Sequence, residues 1–310
     1  MRDQHFYGHG KLLLSGEYFV IDGAEALALP TTVGQSMKVK YRHSYQPTLN
    51  WKSFDHMGNV WFESDYEFWH FDPIKKQSEK KQDFVQSVLK AVRLQNPHFL
   101  RDEMDVFVES KIEFPLEWGL GSSSTFIYNI AQWAYVGPFE LLKKTIGGSG
   151  YDIACAQAIG PIKFQNKDSK PQWESVPFNP AFKDQLFFLY LGQKQSSEKE
   201  VIKYQEMKIE GKGQIINEIS QLTKEMIVAS DVKMFDKIIK SHEEIISQAL
   251  KYEKVKDKYF SDYWGEVKSL GAWGGDFALV TSERDFHTTK KYFEEKGFNT
   301  FIPYSEIVRS

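Results

Sequence analysis

A mixed α+β fold in two lobes is what the chain predicts, and three observations carry that expectation. Over residues 35–41, Met37, Val39 and Tyr41 alternate with polar residues, the period-two pattern of a half-exposed strand. Residues 105–134 run strand, glycine turn, helix. Val106, Val108, Ile112 and Phe114 are apolar, Gly119 and Gly121 follow, and then Phe126, Ile127, Ile130, Ala131 and Ala134 recur at helical spacing. Beyond a proline-rich polar stretch at 160–180, an unbroken apolar run at 186–191 precedes three helical patterns. With 310 residues the chain exceeds one ordinary core. The boundary is placed near 180, giving lobes 1–180 and 181–310.

In order, residues 11–14 and 18–21 read as two short strands broken by Ser15-Gly16-Glu17, with a turn at Asp22-Gly23. A small apolar run at 24–30 leads into the strand at 35–41. Residues 51–71 repeat that character around Gly58-Asn59, which predicts a mostly antiparallel sheet. Phe84, Val85, Val88, Leu89, Val92 and Leu94 mark a helix that Asn96-Pro97 ends. After Gly137-Pro138 come a short helix at 139–146, a flexible turn at 147–150 and a third helix starting near Ile153. Residues 160–180 hold no periodic pattern.

In the second lobe a strand at 186–191 is followed by helices at 198–206, 214–229 and 231–252. The second helix presents Ile215, Ile219, Leu222, Met226 and Val228 to a core, and Ser230 or Asp231 caps the third. A glycine turn at 268–276, a strand at 277–280, a helix at 283–296 and a strand at 298–303 complete the α+β reading.

Composition narrows the partners. A formal net charge of −3 lacks the basic surplus of a nucleic-acid binder, so a small-molecule ligand is expected. The single cysteine, Cys155, cannot form an intramolecular disulfide, and residues 1–10 lack the apolar core of a signal peptide. A cytoplasmic location follows as the expectation. No apolar run approaches the roughly 18 residues that cross a bilayer, so no membrane helix is expected.

The stretch Pro115-Leu-Glu-Trp-Gly119-Leu120-Gly121-Ser122-Ser123-Ser124-Thr125 reads either as an anion cradle or as a tight turn with serine caps. Glycine lets backbone approach a ligand, and the free N–H groups opening a helix favour negative charge. No Walker A run and no Gly-x-Ser-x-Gly elbow occurs, which removes an ordinary P-loop enzyme and an α/β-hydrolase. Lys75, Lys76, Lys80 and Lys81 read as a solvated loop or helix start rather than a phosphate-steering patch. His242-Glu243-Glu244 reads as a wet helix face rather than a metal site.

Three ordered stretches resemble the motifs of the GHMP small-molecule kinases. Gly10-Lys11 through Gly23, with Ala26–Pro30 behind it, resembles the first. Pro115 to Ser123 resembles the second, Pro-x-x-x-Gly-Leu-Gly-Ser-Ser, and Gly271-Ala-Trp273-Gly274-Gly275-Asp276 resembles the third. Gly148-Ser149-Gly150-Tyr151-Asp152 is similar to the Gly-Ser-Gly-Phe-Asp string of phosphomevalonate kinases, and Gly-Tyr-Asp-Ile-Ala to a bacterial subgroup. The resemblance implies a ribosomal-protein-S5 domain-2-like N-terminal lobe that binds ATP and a ferredoxin-like C-terminal lobe.

It also implies roles. Asp152 would be the catalytic base and Lys11 the cation that favours its ionised form. Gly119, Leu120, Gly121, Ser122, Ser123 and Ser124, with Gly274 and Gly275, would hold the ATP phosphates. Ser123 would ligate Mg²⁺; Glu140 would join it on the metal or simply favour the first turn of its own helix. Asp276 would assist or cap its turn. The expected reaction is γ-phosphoryl transfer to phosphomevalonate or mevalonate. Its rivals are another small alcohol or sugar, a diphosphomevalonate-decarboxylase-like reaction, or a non-catalytic sensor. Dimers occur in this family, so a homodimer is one expected assembly. Trp273 in place of the middle glycine, Ser124 and Thr125 in place of alanines, and Gly8-His9 in place of Ala-Pro depart from the pattern.

Overall fold

Two sheets organise the chain. The computed structural model describes residues 3–76, 80–102, 104–168, 170–192, 197–271, 273 and 275–309. The compact units are not consecutive halves: one comprises 1–10, 33–116 and 121–157, the other 11–32, 117–120 and 158–310. This division differs from a single cut near 180, because β1 (Gln4–Leu13) and the 18-residue β2 (Ala26–His43) each contribute residues to both units.

In the first unit β3 (Thr48–Phe54) and β4 (Val60–Glu67) form the hairpin expected around Gly58, tied by the Asp55 carboxylate to the Asn59 N–H at 2.8 Å. β5 (Met104–Ile112) pairs parallel with β3 and antiparallel with β2, placing Val108 opposite Val39. The inward residues of that alternation, with Leu49, Trp51 and Val106, meet α1 (Lys80–Gln95) and α2 (Ser122–Ala134) through Val88, Leu89, Phe126, Ile127 and Ile130. Each such buried side chain contributes about 1.5–3 kcal/mol by leaving water. α3 (Pro138–Lys144) and α4 (Tyr151–Gln157) complete the unit. The lysines at 75, 76, 80 and 81 are exposed, as a solvated segment requires.

The second unit corrects two expectations. Residues 18–21 are not a strand: Phe19–Asp22 is a 3₁₀ turn, with the Ile21 N–H donating to Tyr18 O at 3.0 Å, entered through Tyr18 at φ 61°. Residues 162–175 hold an antiparallel hairpin, β6 (Ile162–Lys167) and β7 (Lys170–Ser175), with β6 on β2 through Ala28 and Ile162. β7 is almost wholly exposed, so it carries no hydrophobic pattern to read.

The unit's other sheet has the all-antiparallel order β11 (Phe301–Pro303), β8 (Leu186–Tyr190), β10 (Phe277–Thr281), β9 (Val267–Ser269). β8 is covered on both faces, Phe187 and Leu189 by one cluster and Phe188 by Tyr304, which is why its sequence is apolar without alternation. α7 (Val232–Leu250), α8 (Val255–Tyr259), α9 (Phe286–Glu295) and α10 (Tyr304–Ile307) pack on the sheet, and α5 (Ser197–Glu206) and α6 (Lys212–Ile227) join α7 through Tyr204, Ile219 and Ile246. Asp231 caps α7, accepting from the Met234 N–H at 2.9 Å. α6 buries Ile219 and Met226, whereas Val228, at its C-cap, is 71% exposed. Among the described residues no helix is long and apolar enough to cross a membrane.

Candidate active site

The first unit holds the helix end of the glycine-serine stretch. Gly121 stands at φ 87°, a left-handed conformation that costs glycine little and that turns the chain into α2. Its N-cap, Gly121, has no side chain to cap the helix, so the opening N–H groups can meet a ligand. Ser122 is half-buried, Ser123 exposed and Ser124 buried. The Ser124 hydroxyl donates to the Asp152 carboxylate, whose other oxygen accepts the Ile153 N–H at 3.1 Å. Two sequence-predicted residues, Ser124 and Asp152, thus meet.

α2 is held in place by contacts that the motifs do not reveal. The Thr125 hydroxyl donates to the Gln35 side-chain oxygen at 2.7 Å, and the Asn129 amide donates to Gln35 O at 2.8 Å. Threonine where the family favours alanine is therefore an anchor to β2. Glu140 is exposed in the first turn of α3, its carboxylate about 3.5 Å from where a side chain on Gly137 would begin. That position favours the N-terminus of its own helix.

In the second unit the other parts of the three motifs converge. The Lys11 N–H donates to Leu120 O at 3.0 Å. The Lys11 ammonium lies 3.9 Å from the Cβ position of Gly271. Gly119, at φ 64°, packs so closely on Asp276 that a Cβ there would stand 1.7 Å from a carboxylate oxygen. Beside them Trp118 meets Phe277 edge-on at 5.5 Å between ring centroids. Gly275 is buried, and Gly274 and Ala272 lie outside the described residues. Trp273 is a structural anchor: its N–H donates to the Tyr18 hydroxyl at 3.0 Å and its indole to Glu253 O at 2.8 Å.

The His242-Glu243 pair was expected on a wet face; it is buried in the second unit, and only Glu244 is exposed. Buried Lys268 donates to the Glu17 carboxylate and lies 3.6 Å from Glu243. The Gly16 N–H donates to His242 Nε2 at 3.2 Å and the Ser269 N–H to Glu243 at 3.2 Å, so the cluster ties the first motif, α7 and β9 together. Burial, and then the Lys268 charge, hold His242 neutral.

One cation faces two buried carboxylates, and burial raises both above the usual carboxylate range. Burial above all, with the charge of Glu17 adding to it, pushes Glu243 up from 4.5 to about 8 against the pull of Lys268. The folded chain therefore binds a proton that the unfolded chain releases above 4.5, and the stability it confers is lost as pH rises through about 8. In urea titrations, Glu243→Gln is expected to remove that decline. The difference between the two stability curves isolates Glu243 from His242, whose depressed value works in the opposite direction below pH 6.5. Parallel curves would show that Glu243 is ionised throughout.

Solved structures of GHMP small-molecule kinases share this two-sheet α+β fold. The chain has that fold, and the mixed α+β class is as its sequence predicts. Among solved structures it is similar to Methanococcus jannaschii mevalonate kinase, at 14% identity over 97% of each chain with a TM-score of 0.69. It is similar also to Streptococcus pneumoniae phosphomevalonate kinase in complex with phosphomevalonate and AMPPNP, at 14% identity over 97% of this chain and 99% of that one, TM-score 0.68. Lactococcus lactis galactokinase complexed with galactose matches at 14% identity over 100% and 95%, TM-score 0.67. No family model and no curated protein sequence matches the chain.

Proposed function

We propose that the protein is an ATP-dependent kinase that transfers a γ-phosphoryl group to a small-molecule hydroxyl or phosphate, with phosphomevalonate the first candidate and mevalonate the second. The observation that carries this reading is the Ser124–Asp152 hydrogen bond, which sets a carboxylate beside the uncapped start of α2. An anion seat and a proton acceptor in one place are what phosphoryl transfer asks of a protein. The preference for phosphomevalonate rests on the Gly148–Asp152 string and the Gly-Gly-Asp close of the third motif.

The residues fit Mg-ATP. The open N–H groups at Ser122 and Ser123 follow a left-handed glycine, which suits a phosphate, and the exposed Ser123 hydroxyl can serve as a metal ligand. Among the described residues no group of three His, Cys, Asp or Glu side chains could hold an ion, so the metal would be shared with nucleotide phosphates, as Mg²⁺ prefers. When bound, Mg-ATP supplies the phosphoryl group and neutralises its charge. Ser124 would orient the Asp152 carboxylate to take the acceptor's proton, and the resemblance implies that Lys11 is the cation that favours the alkoxide. The backbone N–H groups at Ser122 and Ser123 would hold the phosphates.

The test is ADP release with Mg-ATP against 5-phosphomevalonate, mevalonate, galactose and homoserine, with CO₂ measured in parallel on diphosphomevalonate. Release on 5-phosphomevalonate supports the first candidate. CO₂ release would replace the kinase by a decarboxylase, and silence across the panel would favour a sensor or another substrate.

A further inference from the structure

We propose that Gln35 is a positioning residue for the phosphate seat at the start of α2, a role that rests on the kinase reading. Gln35 stands opposite Ile112, the last residue of β5, from which the chain runs on into the glycine-serine stretch. Its side-chain oxygen accepts the Thr125 hydroxyl at 2.7 Å, and its carbonyl accepts the Asn129 amide at 2.8 Å. Residues 125 and 129 are four apart, so they share one face of α2 and reach the same point on β2. Beside it, the Gly34 N–H donates to the Glu113 carboxylate at 3.1 Å and the Glu113 N–H donates to Gly34 O at 3.0 Å. Two consecutive residues of β2 therefore grip both the chain that leaves β5 and the helix in which the glycine-serine stretch ends.

Stability alone does not ask for this arrangement. Gln35, Thr125 and Asn129 are 2%, 1% and 0% exposed, and apolar residues of the same shape would cost the fold little. What hydrogen bonds add is direction: they fix the rotation and height of the first turn of α2 on the strand, where an apolar contact would let it slide. That turn carries the N–H groups of Ser122 and Ser123, and the Thr125 hydroxyl that answers Gln35 also donates to Ser122 O at 3.0 Å. Backbone N–H groups hold an anion only when they stand about 2.7–3.2 Å from its oxygens, so a small shift of the helix weakens the seat.

Gln35→Met keeps the length of the side chain and removes its oxygen. The Thr125 hydroxyl retains Ser122 O as an acceptor, so that donor is not left buried and unpaired. Thr125→Val removes the bond from its other end, and Thr125→Ser restores the hydroxyl. The measurement is the dissociation constant for AMPPNP with Mg²⁺, by titration calorimetry on the full chain. It is expected to rise about fivefold in Q35M and in T125V, the scale of one lost hydrogen bond, and to stay within about twofold of the wild type in T125S. Urea unfolding of each variant separates this from lost stability, because about four-fifths of the chains would have to be unfolded to weaken apparent binding fivefold. A constant unchanged in Q35M and T125V, or a T125S chain as weak as T125V, overturns the role of Gln35 and leaves the kinase reading standing. A wild-type chain that does not bind AMPPNP overturns both.

Discussion

Asp152→Asn is expected to lower turnover with Mg-ATP by about 10²–10⁴-fold, the usual contribution of a positioned general base. Its affinity for AMPPNP should stay within about twofold of the wild type, since the amide keeps the outline of the carboxylate. The amide oxygen can still accept the Ile153 N–H, and the Ser124 hydroxyl can turn to accept from the amide N–H in place of donating, so the local structure can be kept. What the variant loses is a group able to hold a proton. Ser124→Ala supplies the contrast: it leaves the base in place and removes one hydrogen bond that orients it, worth about 1 kcal/mol, or several-fold in rate. Steady-state kinetics on the accepted substrate decide the matter, and undiminished turnover in D152N would exclude Asp152 as the base.

What could be read from the sequence follows the range of the physics. The strand, glycine turn and helix around Gly121 were legible because local periodicity and turn chemistry set them, and Asp231 was legible as a cap for the same reason. The 3₁₀ turn at Phe19–Asp22 was not, because its four apolar or short residues carry the same pattern as a strand and its core partners, Tyr204 and Ile219, lie far along the chain. The buried cluster was missed because charged residues on a helix are usually solvated, and Glu17 and Lys268 are remote in sequence. A signal was nonetheless present. Phe235, Ile238, Ile239, Ile246 and Leu250 form the apolar stripe of α7, and His242 falls on it. At the candidate site the motifs named Lys11, Gly119, Ser124 and Asp152, but not that Asp276 would rest on Gly119 or that Gln35 would anchor α2.

The contact between Gly119 and Asp276 makes the strongest prediction for stability. Gly119→Ala meets two separate obstacles. An alanine at φ 64° costs roughly 1–2 kcal/mol in the left-handed region. The new methyl would also stand 1.7 Å from Asp276 Oδ2, a distance that cannot persist, so the buried Asp276 side chain must turn away or the backbone must move. Overpacking of that kind adds about 1–3 kcal/mol, and the single variant is expected to lose roughly 2–5 kcal/mol in urea unfolding. Asp276→Ala removes all three clashing atoms. In the double variant the clash disappears while the dihedral strain stays, so the second substitution should return most of the loss and leave about 1–2 kcal/mol. Unfolding midpoints of the two single variants and the double variant form a thermodynamic cycle. Simple additivity in that cycle would mean that the carboxylate is free to swing away from Gly119.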